Sequence, residues 1–307
     1  MSVWLAGATV VGKVPWDHEF LRGAGDQTVR AFEEWLYSGA STEAHAWAAS
    51  PKVHAFAMPL QAACHPEALS VGVLAPSADA AGRSYATAVV ATLSASAAAA
   101  HPEILPILLE PFWGRAVEVL ARVRQAPLAP DDDAPASLTR DALDPADEAL
   151  RLYAGWVGAT SRATACAQLA RPPGWLDGAV DRAAAALRPG RSGPAGRSVR
   201  IPLGESAGAS LCMWLDVAWR AAGRAGAIPA FFWSHDGQSG EALVGHCLAP
   251  ATVLNVLLGG ASSGSVLDLV RTPESPGEEL DGPRDASLAG LLGGDGGPIA
   301  DLLEIVG

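Results

Sequence analysis

Leu69-Ser-Val-Gly-Val-Leu-Ala-Pro-Ser-Ala-Asp-Ala-Ala-Gly-Arg-Ser-Tyr-Ala-Thr-Ala-Val-Val90 is the stretch on which the fold turns. Two apolar runs, Leu69 to Leu74 and Tyr85 to Val90, flank a loop holding Pro76, Ser77, Asp79, Gly82 and Arg83. Run, turn residues and run predict two strands joined by a structured loop. Pro76 fixes its own φ and Gly82 admits a positive one, so the loop takes a defined shape. Asp79 and Arg83 lie close enough in sequence to pair across it. Residue types leave two roles open, a strand connection closed by an ion pair and a recognition loop carried on rigid strands.

Around this pair the periodicity predicts further elements. Val3 to Ala6 opens a strand and Gly12 to Pro15 is a turn. Val29, Phe32, Trp35 and Leu36 share one face of a helix from about Gln27 to Tyr37. Ser41 to Ala49 reads as a second short helix blocked by Pro51, and Val53 to Met58 as a strand. Helical spacing resumes from Pro102 to Arg124, interrupted near Pro106 and Pro111. Residues 127–144, rich in Pro, Asp and Ala, read as a linker. A helix then starts at Pro145, capped by Asp144, with Leu150, Tyr153, Trp156 and Val157 on one face. Trp175 to Leu187 is another, and Pro189 to Arg197 a loop. Strands are expected at Val199–Leu203, Ser210–Leu215, Pro229–Trp233 and Ala242–His246, with a closing helix at Pro250–Leu258.

The fold class expected is α+β: two small sheets, each packed against helices, with an acidic tail. The boundaries are 1–126 for the first domain, 127–144 for the linker, 145–261 for the second domain and 262–307 for the tail. The tail reads as disordered except at its end. There Ile299, Leu302, Leu303 and Val306 form one apolar stripe on a short helix started by Pro298. A helix that short needs a surface, either on its own body or on a partner or neighbouring subunit.

Composition bounds the function. The chain has 307 residues, half of them hydrophobic, and a net charge of −12. Most of the acidity sits in the linker and tail, leaving acids and bases nearly balanced elsewhere. No basic footprint for nucleic acid is visible. Cys64, Cys166, Cys212 and Cys247 are widely spaced, which favours buried thiols in a reducing compartment over a disulfide frame or zinc site. The N-terminus reaches Lys13 before its first basic side chain, unlike a signal peptide. The uncharged run Ser84 to Ala100 falls short of a comfortable membrane span and reads as a strand running into a helix. A cytoplasmic chain is expected.

The motifs Gly12-Lys13-Val14-Pro15 with Phe20, Phe32-Glu33-Glu34-Trp35-Leu36, Trp47…Ser50-Pro51-x-Val53-x-x-Phe56, and Pro76-Ser77-x-Asp79-x-x-Gly82-Arg83 follow one another in order. Together they resemble the TagF family of type VI secretion accessory proteins, over about residues 10–92 and weakly over 205–260. Departures occur at Ser84-Tyr85-Ala86, where the family has an aromatic-Pro pair, and at His18-Glu19-Phe20, where it has Gly-Asp-Phe. Ser210-Leu211-Cys212-Met213-Trp214 resembles a degraded form of the family's Ser-x-Trp-Trp strand. The resemblance implies a cytoplasmic, bacterial, post-translational repressor of type VI secretion that acts by protein-protein interaction. Its implied partners are other components of the system, above all a forkhead-associated-domain scaffold, in a circuit also controlled by a threonine kinase and phosphatase. The recognition surface expected is Lys13, Pro15, Phe20, Asp79, Gly82 and Arg83, with the Gly12 to Phe20 turn and the Asp79 to Arg83 loop at one end of the first domain.

The alternative is a serine hydrolase. Gly204-Glu205-Ser206-Ala207-Gly208 matches the nucleophile elbow, with His235 or His246 as base and Asp236 or Glu241 as acid. Only a short stretch follows Ser206, and no oxyanion-donor loop precedes it, so a turn between strands is the preferred reading. The histidines at 18, 45, 54, 65, 101, 235 and 246 never fall in a His-x-x-x-His or His-Glu-x-x-His spacing. Gly293-Gly294-Asp295-Gly296-Gly297 lacks the Lys-Ser/Thr of a phosphate loop. No cofactor, metal or catalytic residue is therefore expected.

Overall fold

A computed structural model describes residues 5–23, 27–40, 52–59, 68–94, 98–129, 133–139, 146–188, 198–204, 206–223, 228–234, 240–246, 253, 257, 266–270 and 297–306. The chain starts with strand β1 (Leu5–Gly12), helix α1 (Gln27–Ala40) and strands β2 (His54–Pro59), β3 (Ala68–Ala78) and β4 (Ser84–Ser94). Helices α2 (Leu105–Leu108), α3 (Glu110–Gln125), α4 (Ala134–Ser137), α5 (Ala146–Ala159), α6 (Arg162–Gln168) and α7 (Trp175–Leu187) follow. The remainder is β5 (Ser198–Pro202), α8 (Ala207–Ala221), β6 (Ala230–Ser234), β7 (Glu241–Gly245), β8 (Val266–Asp268) and α9 (Ile299–Val306).

The α+β class stands, but the two expected sheets are one. Eight strands run in the order β1-β4-β3-β2-β6-β7-β5-β8. The join is β2 against β6, antiparallel from His54↔Ser234 to Ala57↔Phe231. Sequence periodicity reports which faces a strand buries, not which strand lies beside it, so the seam was invisible.

Both faces of this sheet are covered, which is why β3 and β4 read as continuous apolar runs instead of alternating ones. On one face Val71, Val73, Val89, Ala91, Phe231 and Val244 pack beneath the layer formed by α2, α3 and α5 to α9. On the other, Phe56, Leu74, Val90, Phe232 and Leu243 meet Val29, Phe32 and Leu36 of α1. Phe32, Phe56, Phe232 and Trp35 close a ring of stacked contacts 4.8–5.7 Å between centroids, spanning the seam.

Several local expectations change. Ser210–Leu215 is not a strand but the middle of α8. Its apolar run has no alternation and is too short for periodicity to arbitrate. α8 is buried from Ser210 to Ala218 because it lies between the sheet and other helices. The linker contains α4, which packs against β1. The tail begins with β8, a three-residue edge strand parallel to β5 and too short to show a period. Helix α9 folds back on its own body, burying Ile299, Leu302 and Leu303. The expected helix at Ser41–Ala49 lies outside the described residues, as does the one at Pro250–Leu258 apart from Val253 and Leu257. Cys166 and Cys212 are buried and in no disulfide, and burial pushes the Cys212 pKa up. Cys64 and Cys247 lie outside the described residues.

Candidate partner-binding corner

The β3–β4 connection and the segment after β1 meet at one end of the sheet. Pairing of the two strands runs to Ala78↔Ser84, leaving Asp79 to Arg83 as the turn. Asp79 N–H donates to Arg83 O at 3.1 Å and Gly82 N–H to Asp79 O at 2.8 Å. Gly82 sits at φ 76°, where a side chain is strained. Gly12 turns the chain out of β1 at φ 109°, and a β-carbon there would fall 2.1 Å from Ala86 O. Lys13 N–H then donates to the same Ala86 carbonyl at 3.1 Å, while Thr87 Oγ1 donates to Lys13 O. The turn Val14–Asp17 follows, closed by Asp17 N–H to Val14 O at 3.3 Å.

The Asp79 carboxylate organises what results. Its Oδ1 accepts from the N–H groups of Ala81 (3.0 Å) and Arg83 (2.9 Å). Its Oδ2 accepts from Lys13 Nζ (2.8 Å) and Arg83 Nε (2.6 Å). Four donors fill both oxygens, and the hydrogen bond from Lys13 leads the effects that hold the carboxyl well below its ordinary value. Both cations also donate to His18 O, Lys13 Nζ at 3.1 Å and Arg83 Nη2 at 3.3 Å. The Asp79 side chain is fully covered, Lys13 is 16% exposed and Arg83 is 64% exposed. Pro15, His18, Glu19 and Ala80 to Gly82 are exposed around them. Phe20 is half-buried and meets Tyr85 edge-on at 5.2 Å.

All six residues expected from the sequence thus share this corner. The sequence missed the groups that tie it down. Ala80 N–H donates to Asp17 O at 2.9 Å, and Trp16 Nε1 donates to Val123 O at 2.6 Å in the last turn of α3. These contacts join segments far apart in the chain, and no local pattern signals them.

The elbow resemblance fares differently. Strand β5 ends at Pro202, and Ser206 is the N-cap residue of α8. Ser206 has φ −90° and ψ 56°, without the strain that exposes a nucleophile on such a turn. The Glu241 carboxylate is engaged by Arg200, whose Nε lies 2.8 Å away. His235 and Asp236 lie outside the described residues. Among the described residues no group of three or more His, Cys, Asp or Glu is placed to hold a metal ion.

Comparison with known proteins decides the affiliation. Residues 9–135 match the family model described as the TagF N-terminal domain, type VI secretion system-associated. The chain carries a TagF N-terminal domain. The family that this model describes is type VI secretion system-associated. The match takes in Thr9 to Gly12 of β1, all of α1, β2 to β4, α2 and α3, the first two residues of α4 and the whole corner. The crystal structure of PA0076 from Pseudomonas aeruginosa PAO1 is similar at 20% identity and a TM-score of 0.30. That similarity covers 47% of this chain and 64% of that one, so this chain spans less than two thirds of it. No curated protein matches. No described helix is long and apolar enough to cross a membrane.

Proposed function

We propose that this TagF-domain protein is a cytoplasmic, non-enzymatic regulator that represses type VI secretion after translation by binding other components of the system. The observation that carries this reading is the corner of Lys13, Asp79 and Arg83 within the matched domain. Its internal bonds hold two cations in fixed positions beside exposed Pro15, half-buried Phe20 and the open Gly82 turn. A preformed polar cluster on a rigid hairpin loses little freedom on binding. The partner assigned to it is a forkhead-associated-domain scaffold of the same system.

The test is a pull-down of that scaffold with the full chain, comparing wild type with Lys13→Ala/Arg83→Ala. The double variant should lose at least about tenfold in affinity, as central charged residues of an interface do. Unchanged capture by a variant whose far-UV circular dichroism is native would refute the corner as the binding site.

A further inference from the structure

The β3–β4 turn spends its main-chain donors on itself and its neighbour. Ala80 N–H goes to Asp17 O, Gly82 N–H to Asp79 O, and the N–H groups of Ala81 and Arg83 to Asp79 Oδ1. The donors left for a partner therefore belong to the cationic side chains. A guanidinium carries five N–H bonds, arranged along two edges. Arg83 turns its side edge inward, with Nε on Asp79 Oδ2 and one N–H of Nη2 on His18 O. Its end edge, both N–H bonds of Nη1 and the second of Nη2, has no hydrogen-bond partner among the described residues. Two parallel N–H bonds on such an edge match the two oxygens of one carboxylate.

The surroundings favour that use. The two inward bonds fix the plane of the guanidinium, so little rotamer freedom is lost when its outer edge is engaged. Ala80, Ala81 and Gly82 beside it are exposed and small, and a β-carbon on Gly82 would meet nothing within 4 Å. No bulky side chain of the turn stands over the fork. Lys13 lies behind it, mostly covered, and shares the one Asp79 carboxylate with Arg83. Two cations on one anion leave a positive charge that Asp79 does not cancel. The facing turn brings two acids. Asp17 Oδ1 accepts from Glu19 N–H at 3.0 Å, and Glu19 itself is exposed next to His18. Glu19 thus opposes any anion that approaches Arg83.

We infer that the outer edge of Arg83 receives a carboxylate, an Asp or Glu side chain on the surface of the partner. This rests on the reading of the corner as the partner-binding site and adds the chemistry of the group received. A partner with an apolar residue at that point would strip water from the guanidinium and return no acceptor, which is how the corner discriminates.

The test titrates the purified full chain against the purified forkhead-associated-domain scaffold of the same system. Arg83→Gln, which removes the charge and the fork, should weaken binding about tenfold. Glu19→Gln removes the opposing charge and touches none of the bonds that build the corner, since Glu19 takes part there only through its N–H. It should tighten binding about twofold. Raising salt from about 0.1 M to about 0.5 M should weaken wild type more steeply than Arg83→Gln. Scaffold treated with a phosphatase should bind as before.

The failures are separable. No binding by wild type, or equal binding by wild type and Lys13→Ala/Arg83→Ala, would sink the corner and this inference together. Binding lost in that double variant but kept in Arg83→Gln would leave the corner standing and overturn the carboxylate. Weaker or unchanged binding by Glu19→Gln, or equal salt slopes, would do the same. Binding lost after phosphatase treatment would show that the group received is a phosphoryl, and would likewise overturn it.

Discussion

Trp113 tests whether the two halves of the sheet behave as one body. It is fully buried in α3, inside the matched TagF domain, yet its ring lies on residues of β6. It meets Phe231 edge-on at 5.9 Å and Trp233 tilted at 5.4 Å. Truncating a buried Trp to Ala costs about 3–5 kcal/mol. Its Nε1 is buried without a hydrogen-bond partner, and removing such a donor returns about 1–3 kcal/mol of desolvation cost. Trp113→Ala should therefore fall near the lower end, about 3 kcal/mol. With a slope of roughly 3 kcal/mol per molar urea, that moves the midpoint down by about 1 M. Urea unfolding followed by far-UV circular dichroism measures it, and Trp113→Phe should lose less than half as much. Because the ring bridges α3 and β6, the variant should still unfold in one transition at the lower midpoint. A loss below about 1 kcal/mol, or two transitions of which only one moves, would refute the idea that the seam is a structural continuity.

Four other outcomes are expected. Gly12→Ala, forced into positive φ and against Ala86 O, should cost at least about 2 kcal/mol in the same assay and displace Lys13 from Asp79. Glu103 is buried with Oε2 unpartnered, and burial raises its pKa above the ordinary carboxyl value. The folded state therefore holds this proton more tightly than the unfolded one, and stability falls as pH rises through the interval between the two values. Glu103→Gln should raise Tm at pH 8, with the gain shrinking towards pH 4. Asp79 has the opposite sign: its depressed pKa makes its contribution complete above the ordinary value of 3.8 and lost only as pH falls towards the lower folded value. Proton NMR should accordingly show the Lys13 ammonium still bonded at pH 4. A fluorophosphonate probe should label wild type and Ser206→Ala equally, and labelling lost in the variant would restore the hydrolase reading.

What the sequence disclosed and what it hid divide along one physical line. Elements whose apolar residues repeat over two or more turns, such as α1 and α7, were legible to within a few residues because burial on one face imposes a period. The hairpin was legible because turn residues at Asp79 to Arg83 separate two apolar runs, although Pro76 and Ser77, expected in the loop, lie inside β3 and pair with Ala86 and Tyr85. α8 was not, because a helix buried all round carries no period to distinguish it from a buried strand. Nor was the β2–β6 join, since strand partners are chosen by three-dimensional packing such as Phe56 on Phe232. At the corner, residue types announced the Asp79–Arg83 pair. That Lys13 would reach the same oxygen from 66 positions away follows only from β1 lying beside β4.

The family motif is altered at two places beside this corner, and the contacts explain how the corner is built despite both changes. His18 stands where the family pattern has glycine, yet it takes part through its main-chain carbonyl, which accepts from Lys13 and Arg83 whatever side chain it carries. Tyr85 stands where the pattern has part of an aromatic-Pro pair after Gly-Arg, and its ring still meets Phe20, the one residue retained from Gly-Asp-Phe. Ala86 follows in that strand, where its carbonyl accepts from Lys13 N–H and its tight approach to Gly12 does not involve its side chain. The carboxylate that gathers the cations has both oxygens filled from within, so it has no lone pair to spare for a partner. A partner at the proposed site would consequently be met by donors, above all the 64%-exposed Arg83. Arg83→Lys keeps the charge but removes the planar fork, so it should lose binding where Lys13→Arg, a cation held mostly inside, loses less.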